Sequence, residues 1–150
     1  MLAQNNTPPI TVLIAEDQET DAFFVEQAFG QSKVENNLFW VKDGQEVMAF
    51  LQRDASYVSA PRPDLILLDL EMPRQNGHDT LEAIKRDESL RDIPVIIISG
   101  SQDTKDVERA YQNHANAYIP KSNGFDDMLE FVEAIEKFWF LQARLPQKSA

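Results

Sequence analysis

Five short apolar runs, separated by longer amphipathic stretches, limit this chain to very few folds. The runs are residues 11–15, 38–41, 65–69, 95–99 and 117–119. Three of them are nearly continuous Ile, Leu and Val, as in Leu65-Ile66-Leu67-Leu68 and Val95-Ile96-Ile97-Ile98. A strand with one wet face would alternate apolar and polar residues, so these runs predict strands covered on both faces of a parallel sheet. The stretches between them carry helical spacing. Over 21–31, Ala22, Val25 and Phe29 share a face with Phe24 and Ala28 beside it, and over 45–53 Val47, Phe50 and Leu51 repeat. Leu81 and Ile84 mark a third helix entered after Gly77. Val107, Ala110 and Tyr111 mark a fourth, for which Thr104 is the expected N-cap. Met128, Phe131, Val132, Ile135 and Trp139 place the last helix over 126 to about 143. Strand followed by helix five times predicts an α/β fold: a (βα)5 doubly wound parallel five-stranded sheet, with right-handed crossovers placing helices on both faces. The expected organisation is a flexible N-terminus at 1–9, one domain at 10–143 and a C-terminal tail at 144–150.

Composition narrows the function classes. With no cysteine, neither disulfides nor thiolate metal sites enter the argument. No apolar run approaches the ~18 residues that span a bilayer, and the polar N-terminus lacks a signal-peptide pattern. The expectation is a cytoplasmic protein with no membrane contact. A net charge of −11 repels nucleic acid, whose binding needs Lys and Arg to neutralise phosphates, so a cation or a protein partner is expected instead.

In a parallel sheet the C-terminal strand ends share one edge, and ligands bind there. The first run leads into Glu16-Asp17, the third ends in Asp69, the fourth ends in Ser99, and the fifth is followed by Lys121. Three ionised carboxylates at close quarters repel and require a proton or a cation. A set of oxygens without His or Cys suits a hard, partly hydrated ion, Mg2+ or Mn2+. A carboxylate beside such an ion and an ammonium group is placed to attack a phosphoryl group, and the Ser99 hydroxyl can hydrogen-bond a phosphoryl oxygen. Single acidic residues at strand ends are often only caps. Asp17 can cap the first helix in part, with Thr20 the better placed cap. His78 and His114 lie away from the strand ends and read as solvated helix surface.

These residues resemble a known family. Leu68-Asp69-Leu70-Glu71-Met72-Pro73, with Gly77 eight residues after Asp69, looks like the phosphoacceptor segment of two-component response regulator receiver domains, which have a flavodoxin-like fold. Glu16-Asp17 matches that family's metal-binding pair, Ser99-Gly100 its switch hydroxyl and following small residue, and Tyr118, three before Lys121, its aromatic switch position. The resemblance covers about residues 11–138, and ordered landmarks of this kind are specific. It implies phosphoryl transfer from a histidine kinase to Asp69, dependence on Mg2+ held by Glu16, Asp17 and Asp69, slow self-dephosphorylation, and coupling of Ser99 to Tyr118. It implies a backbone contact to the metal at Glu71, whose side chain points either to the ion or to solvent. The chain departs from the family's usual Lys-Pro: Pro120 precedes Lys121 and Ser122 follows it, so a cis-proline device for fixing the lysine loop is not assumed. Lys-Ser, the loop through 56–63 and the Phe-Trp near the C-terminus resemble the small stand-alone regulators of cyanobacterial and bacterial phytochromes. A phytochrome histidine kinase is therefore the expected partner.

The last helix carries more apolar surface than one core face requires: Leu129, Phe138, Phe140, Leu141 and Leu145 add to its stripe. Such an excess marks an interface, and a symmetric homodimer is expected; the alternative is a tail that docks on its own domain. With little sequence after the last helix, output is expected through another molecule. A haloacid-dehalogenase-type phosphatase shares the residue types but places its nucleophile on the first strand and its acidic pair late, the reverse of the order here. A receiver that no longer accepts phosphate is the other alternative, and the complete residue set argues against it.

Overall fold

The computed structural model describes residues 9–73, 75–121 and 124–146. Most of the 1–9 segment and residues 147–150 of the expected tail lie outside the described residues. In chain order the elements are β1 (Ile10–Ala15), α1 (Glu19–Gly30), β2 (Asn36–Val41), α2 (Gly44–Gln52), β3 (Leu65–Asp69), α3 (Gly77–Arg86), β4 (Val95–Ser99), α4 (Thr104–Gln112), β5 (Ala117–Pro120) and α5 (Phe125–Ile135). The strands form one sheet in the order β2-β1-β3-β4-β5, with every pair parallel. This is the (βα)5 architecture the strand and helix pattern predicts.

Side-chain parity divides the core into two layers. Leu13, Ile66, Leu68, Val95 and Ile97 point to one face and pack with Val47 and Phe50 of α2, Leu81 and Ile84 of α3, and Ala110 of α4. Val12, Ile14, Leu65, Leu67, Ile96 and Ile98 point to the other and pack with Val25, Ala28 and Phe29 of α1 and Met128, Val132 and Ile135 of α5. Because β3 and β4 are buried along their whole length, no position in them could be polar without a cost. Each aliphatic side chain so covered contributes about 1.5–3 kcal/mol relative to exposure.

Two helix starts and one helix end differ from expectation. Asp103, not Thr104, caps α4: its carboxylate accepts the Lys105 amide at 2.9 Å, and Thr104 is already helical. Thr20 does not cap α1, which starts at Glu19, two residues before the expected start, with Gln18 as its uncapped N-cap residue. There the Glu16 side chain accepts the Gln18 amide at 3.0 Å, so a carboxylate from outside the helix satisfies the free donor. The last helix is α-helical only to Ile135 and continues as a π-helical turn over Glu136–Phe140.

Candidate functional site

The chain crosses from β1 through α1 to β2 on one side of β1 and returns through α2 to β3 on its other side, so the C-terminal ends of β1 and β3 border the switch point of the topology. The expected site residues meet there. A carboxylate oxygen from each of Glu16, Asp17 and Asp69 lies within 4.8 Å of the others. Glu16 and Asp69 are buried and Asp17 is half-buried. Glu16 leaves β1 with its amide donated to the Val41 carbonyl at 3.0 Å, which fixes the acidic pair to the sheet edge.

Lys121 reaches into this cluster from the end of β5. Its Nζ lies 2.6 Å from Glu16 Oε1, 3.0 Å from Asp69 Oδ2 and 3.1 Å from Asp21 Oδ2. The backbone that carries it is anchored by the Lys121 amide donating to the Ser99 carbonyl at 2.7 Å, opposite the β4–β5 pairing of Ser99 with Pro120. Every described peptide bond is trans, and this strand register is what holds the lysine. Burial alone would lower the Lys121 pKa, but the facing Glu16 and Asp69 carboxylates outweigh it and hold the ammonium above its usual range. Burial, then the Asp69 charge, pushes Glu16 up to about 8. More carboxylates than cations crowd the pocket, which favours a proton or a further cation there.

Asp69 Oδ1 accepts the Glu71 amide at 3.0 Å while the Glu71 side chain is exposed, which favours solvent over the ion for that side chain. Gly77, at the start of α3, donates its amide to Leu70 O at 3.0 Å. A Cβ there would run into the Asp69 carbonyl and the Leu70 Cα, so only glycine lets α3 approach the backbone of Asp69 this closely.

Ser99, fully buried, accepts the Ser101 amide at 3.1 Å through its hydroxyl. Tyr118 is half-buried, and its hydroxyl donates to the Ser101 carbonyl at 2.7 Å. The expected Ser99 and Tyr118 thus meet through one residue that the sequence reading did not single out. Ser101 also donates its hydroxyl to Asp106 Oδ2 at 2.6 Å, and Asp106 Oδ1 lies 3.2 Å from His78 Nε2. These bonds from Ser101 and His78 hold the Asp106 carboxyl below the usual aspartate range. His78 is not the solvated residue expected: it is buried between α3 and α4, with Nδ1 lacking a hydrogen-bond partner. Its helical position faces the neighbouring helix, a direction that spacing from the strand ends does not reveal. His114 is exposed as expected.

An acidic pair, an aspartate, a hydroxyl and a lysine meet at the ends of four neighbouring parallel strands, and comparison with known proteins decides the family. The chain matches the response regulator receiver domain over residues 12–133. It belongs to that family. The receiver is 36% identical to the response regulator Rcp1 of Synechocystis sp. over 145 residues, which covers 97% of this chain and 99% of that one. Two solved structures superpose closely. One is the Mn2+-bound form of Rcp1, at 37% identity and a TM-score of 0.87. The other is the phosphorylated cyanobacterial phytochrome response regulator RcpA, at 37% identity and a TM-score of 0.89. Each covers 93% of this chain and is itself covered completely.

The donor set of this receiver fits a divalent ion. Its three carboxylates supply only oxygen, the chemistry Mg2+ and Mn2+ prefer. Burial and the Asp69 charge push the Glu16 carboxyl up, as in an acidic cluster that a cation would neutralise. Two further contacts escaped the sequence reading. Asp21, from the first turn of α1, is Lys121's third carboxylate, and Trp40 donates its Nε1 to the Glu16 carbonyl at 2.7 Å. Asp21 looked like any acidic residue in a first helical turn, and Trp40 like strand filling. Among the described residues no helix is long and apolar enough to cross a membrane.

The five residues assigned to an interface divide. Phe138 and Leu141 are 54% and 62% exposed. Leu129 and Phe140 pack against the α1/α5 core layer, with the Phe140 ring 6.1 Å from Phe29. Leu145 is half-buried and lines a groove with Trp139, Pro9 and Pro94.

Proposed function

We propose that Asp69 is the phosphoacceptor of a signalling switch. An oxygen of its carboxylate attacks the phosphorus of a phosphohistidine on a kinase, and the phosphorus–nitrogen bond breaks as the acyl phosphate forms. The observation that carries this reading is the Lys121 ammonium 3.0 Å from Asp69 inside an all-oxygen acidic cluster. Lys121 holds positive charge where phosphoryl oxygens would lie, and the Ser99 hydroxyl, whose oxygen accepts the Ser101 amide, keeps its own hydrogen to donate to one of them. A divalent ion held by Glu16, Asp17 and Asp69, with the Glu71 backbone carbonyl as a further ligand, would supply charge neutralisation for the transferred group. Hydrolysis of the acyl phosphate on the same residues would return the switch to its resting state.

The test is intact mass after incubation with Mg2+ and acetyl phosphate. A gain of one phosphoryl group is expected in the parent and none in Asp69→Asn; labelling that persists in the variant, or none in a folded parent, rejects the assignment.

Similarity to Rcp1 and RcpA over nearly the whole chain supports a phytochrome histidine kinase as the phosphoryl source. The exposed Phe138 and Leu141 support a homodimer through the end of the last helix. A net charge of −11 supports protein contacts, rather than nucleic acid or membrane, as the output, in keeping with a cytoplasmic setting.

A further inference from the structure

We infer that Asp21 is a positioning residue that keeps Lys121 in the pocket when a divalent cation takes Glu16 away from it; this rests on the metal reading above. The Lys121 ammonium lies within ion-pair distance of three carboxylates, those of Glu16, Asp69 and Asp21, and donates a hydrogen bond to Asp69. Two of those carboxylates belong to the oxygen set able to hold a metal, and Asp21 does not. In the metal-free protein Lys121 is therefore the internal cation of the cluster, with its shortest contact, 2.6 Å, to Glu16. A metal ion and Lys121 compete for that oxygen.

Once Glu16 turns to the ion, a lysine whose side chain is 18% exposed would lose its closest partner, and a half-buried charge without partners is costly. Asp21 removes the conflict. Its carboxylate is 34% exposed, and the N-terminus of α1 favours negative charge there. It approaches Lys121 from the helix rather than from a strand end. The ammonium can thus release Glu16 while remaining on Asp21 and within reach of Asp69. The plain reading of Asp21, an acidic residue complementing a helix terminus, accounts for its sequence position but not for its contact with the lysine.

The experiment is a double-mutant cycle on Mg2+ affinity, read by tryptophan fluorescence, since Trp40 is bonded to the backbone of Glu16. The proteins are the parent, Asp21→Asn, Lys121→Met and the double variant, each checked for folding by circular dichroism. Asp21→Asn is expected to weaken Mg2+ binding by about fivefold or more in the parent, because Lys121 then closes on Glu16 and Asp69. Lys121→Met is expected to tighten binding by removing the competitor, and in that background Asp21→Asn should cost distinctly less. Asp21→Glu should recover part of the loss. An unchanged or tighter affinity for Asp21→Asn overturns the inference. So does an equal or larger loss in the Lys121→Met background, which would mean that Asp21 acts on the ion by charge alone. A folded parent that binds no Mg2+ overturns the metal reading itself, a result distinguishable from either. In crystals of the Mn2+-bound protein, Lys121 should remain on Asp21 after leaving Glu16; a lysine that has left Asp21 also rejects the inference.

Discussion

With the proposed metal reading, Glu16 would couple protonation, metal binding and folding, because its carboxylate is buried against Asp69 and Lys121. Burial and the Asp69 charge raise it from an ordinary 4.5 to about 8, so the metal-free fold favours the protonated form. The stability it contributes is complete below its ordinary value and is lost as pH rises through about 8. Metal binding reverses that preference, since a ligating carboxylate must be ionised. Thermal melts with and without Mg2+ should therefore show a larger Mg2+-induced rise in Tm at about pH 8 than at about pH 6. Glu16→Gln should flatten the difference. The same rise at both values in the parent would argue that Glu16 is not where ion and proton compete. The acidic pair, Asp69, Ser99 and Lys121 were legible in the sequence because each follows or ends an apolar run. Asp21 and Ser101 were not, since their contacts depend on how α1 and the loop after β4 turn in space.

At the scale of elements, α3 governs how accurately Asp69 is held. Its first residue, Gly77, lies against the Asp69 and Leu70 backbone, and its cap, Asn76, accepts the Asp79 amide at 2.9 Å. A methyl group at Gly77 must push α3 away or move the end of β3. Gly77→Ala should cost about 1–3 kcal/mol of stability, typical of overpacking a tight contact. It should also slow labelling by acetyl phosphate, because the displaced atoms belong to the proposed phosphoacceptor. Chemical denaturation and intact mass measure the two effects; a variant as stable and as quickly labelled as the parent would mean that the approach is not constraining. α4 joins the same assembly through Asp106, which ties Ser101 to His78, and through Arg109, whose guanidinium lies 3.5 Å from Asp79 of α3. Any rearrangement that frees Ser99 from the Ser101 amide must therefore pass through contacts that bind α3 to α4.

Over the whole molecule, the chemical site and the surplus apolar surface lie on different parts of the structure. The site is formed at the strand ends, whereas Phe138 and Leu141 belong to the π-helical turn and its C-cap beyond α5. Aspartate at both positions should yield a monomer in sedimentation velocity while leaving the core intact, because neither side chain contributes to the buried layers. A dimer of undiminished strength would place the interface elsewhere. Phe140 and Leu129 are poor choices for this test, since replacing them would open the α1/α5 layer.

By itself the sequence determined the strand number, the parallel sheet and which polar groups gather at its strand ends. Those follow from local rules: a continuous aliphatic run is stable only when covered on both faces, and parallel strands gather their C-terminal residues on one edge. Tertiary structure decided everything that depends on angle and distance between elements. It turned α1 so that Asp21 reaches Lys121, set β5 in register so that the Ser99 carbonyl holds the lysine backbone, and buried His78 against Asp106. It also divided the apolar residues of the last helix between the core and solvent. Such partners are far apart in the chain, and no periodicity records them, because a side chain's direction is set only when its element packs.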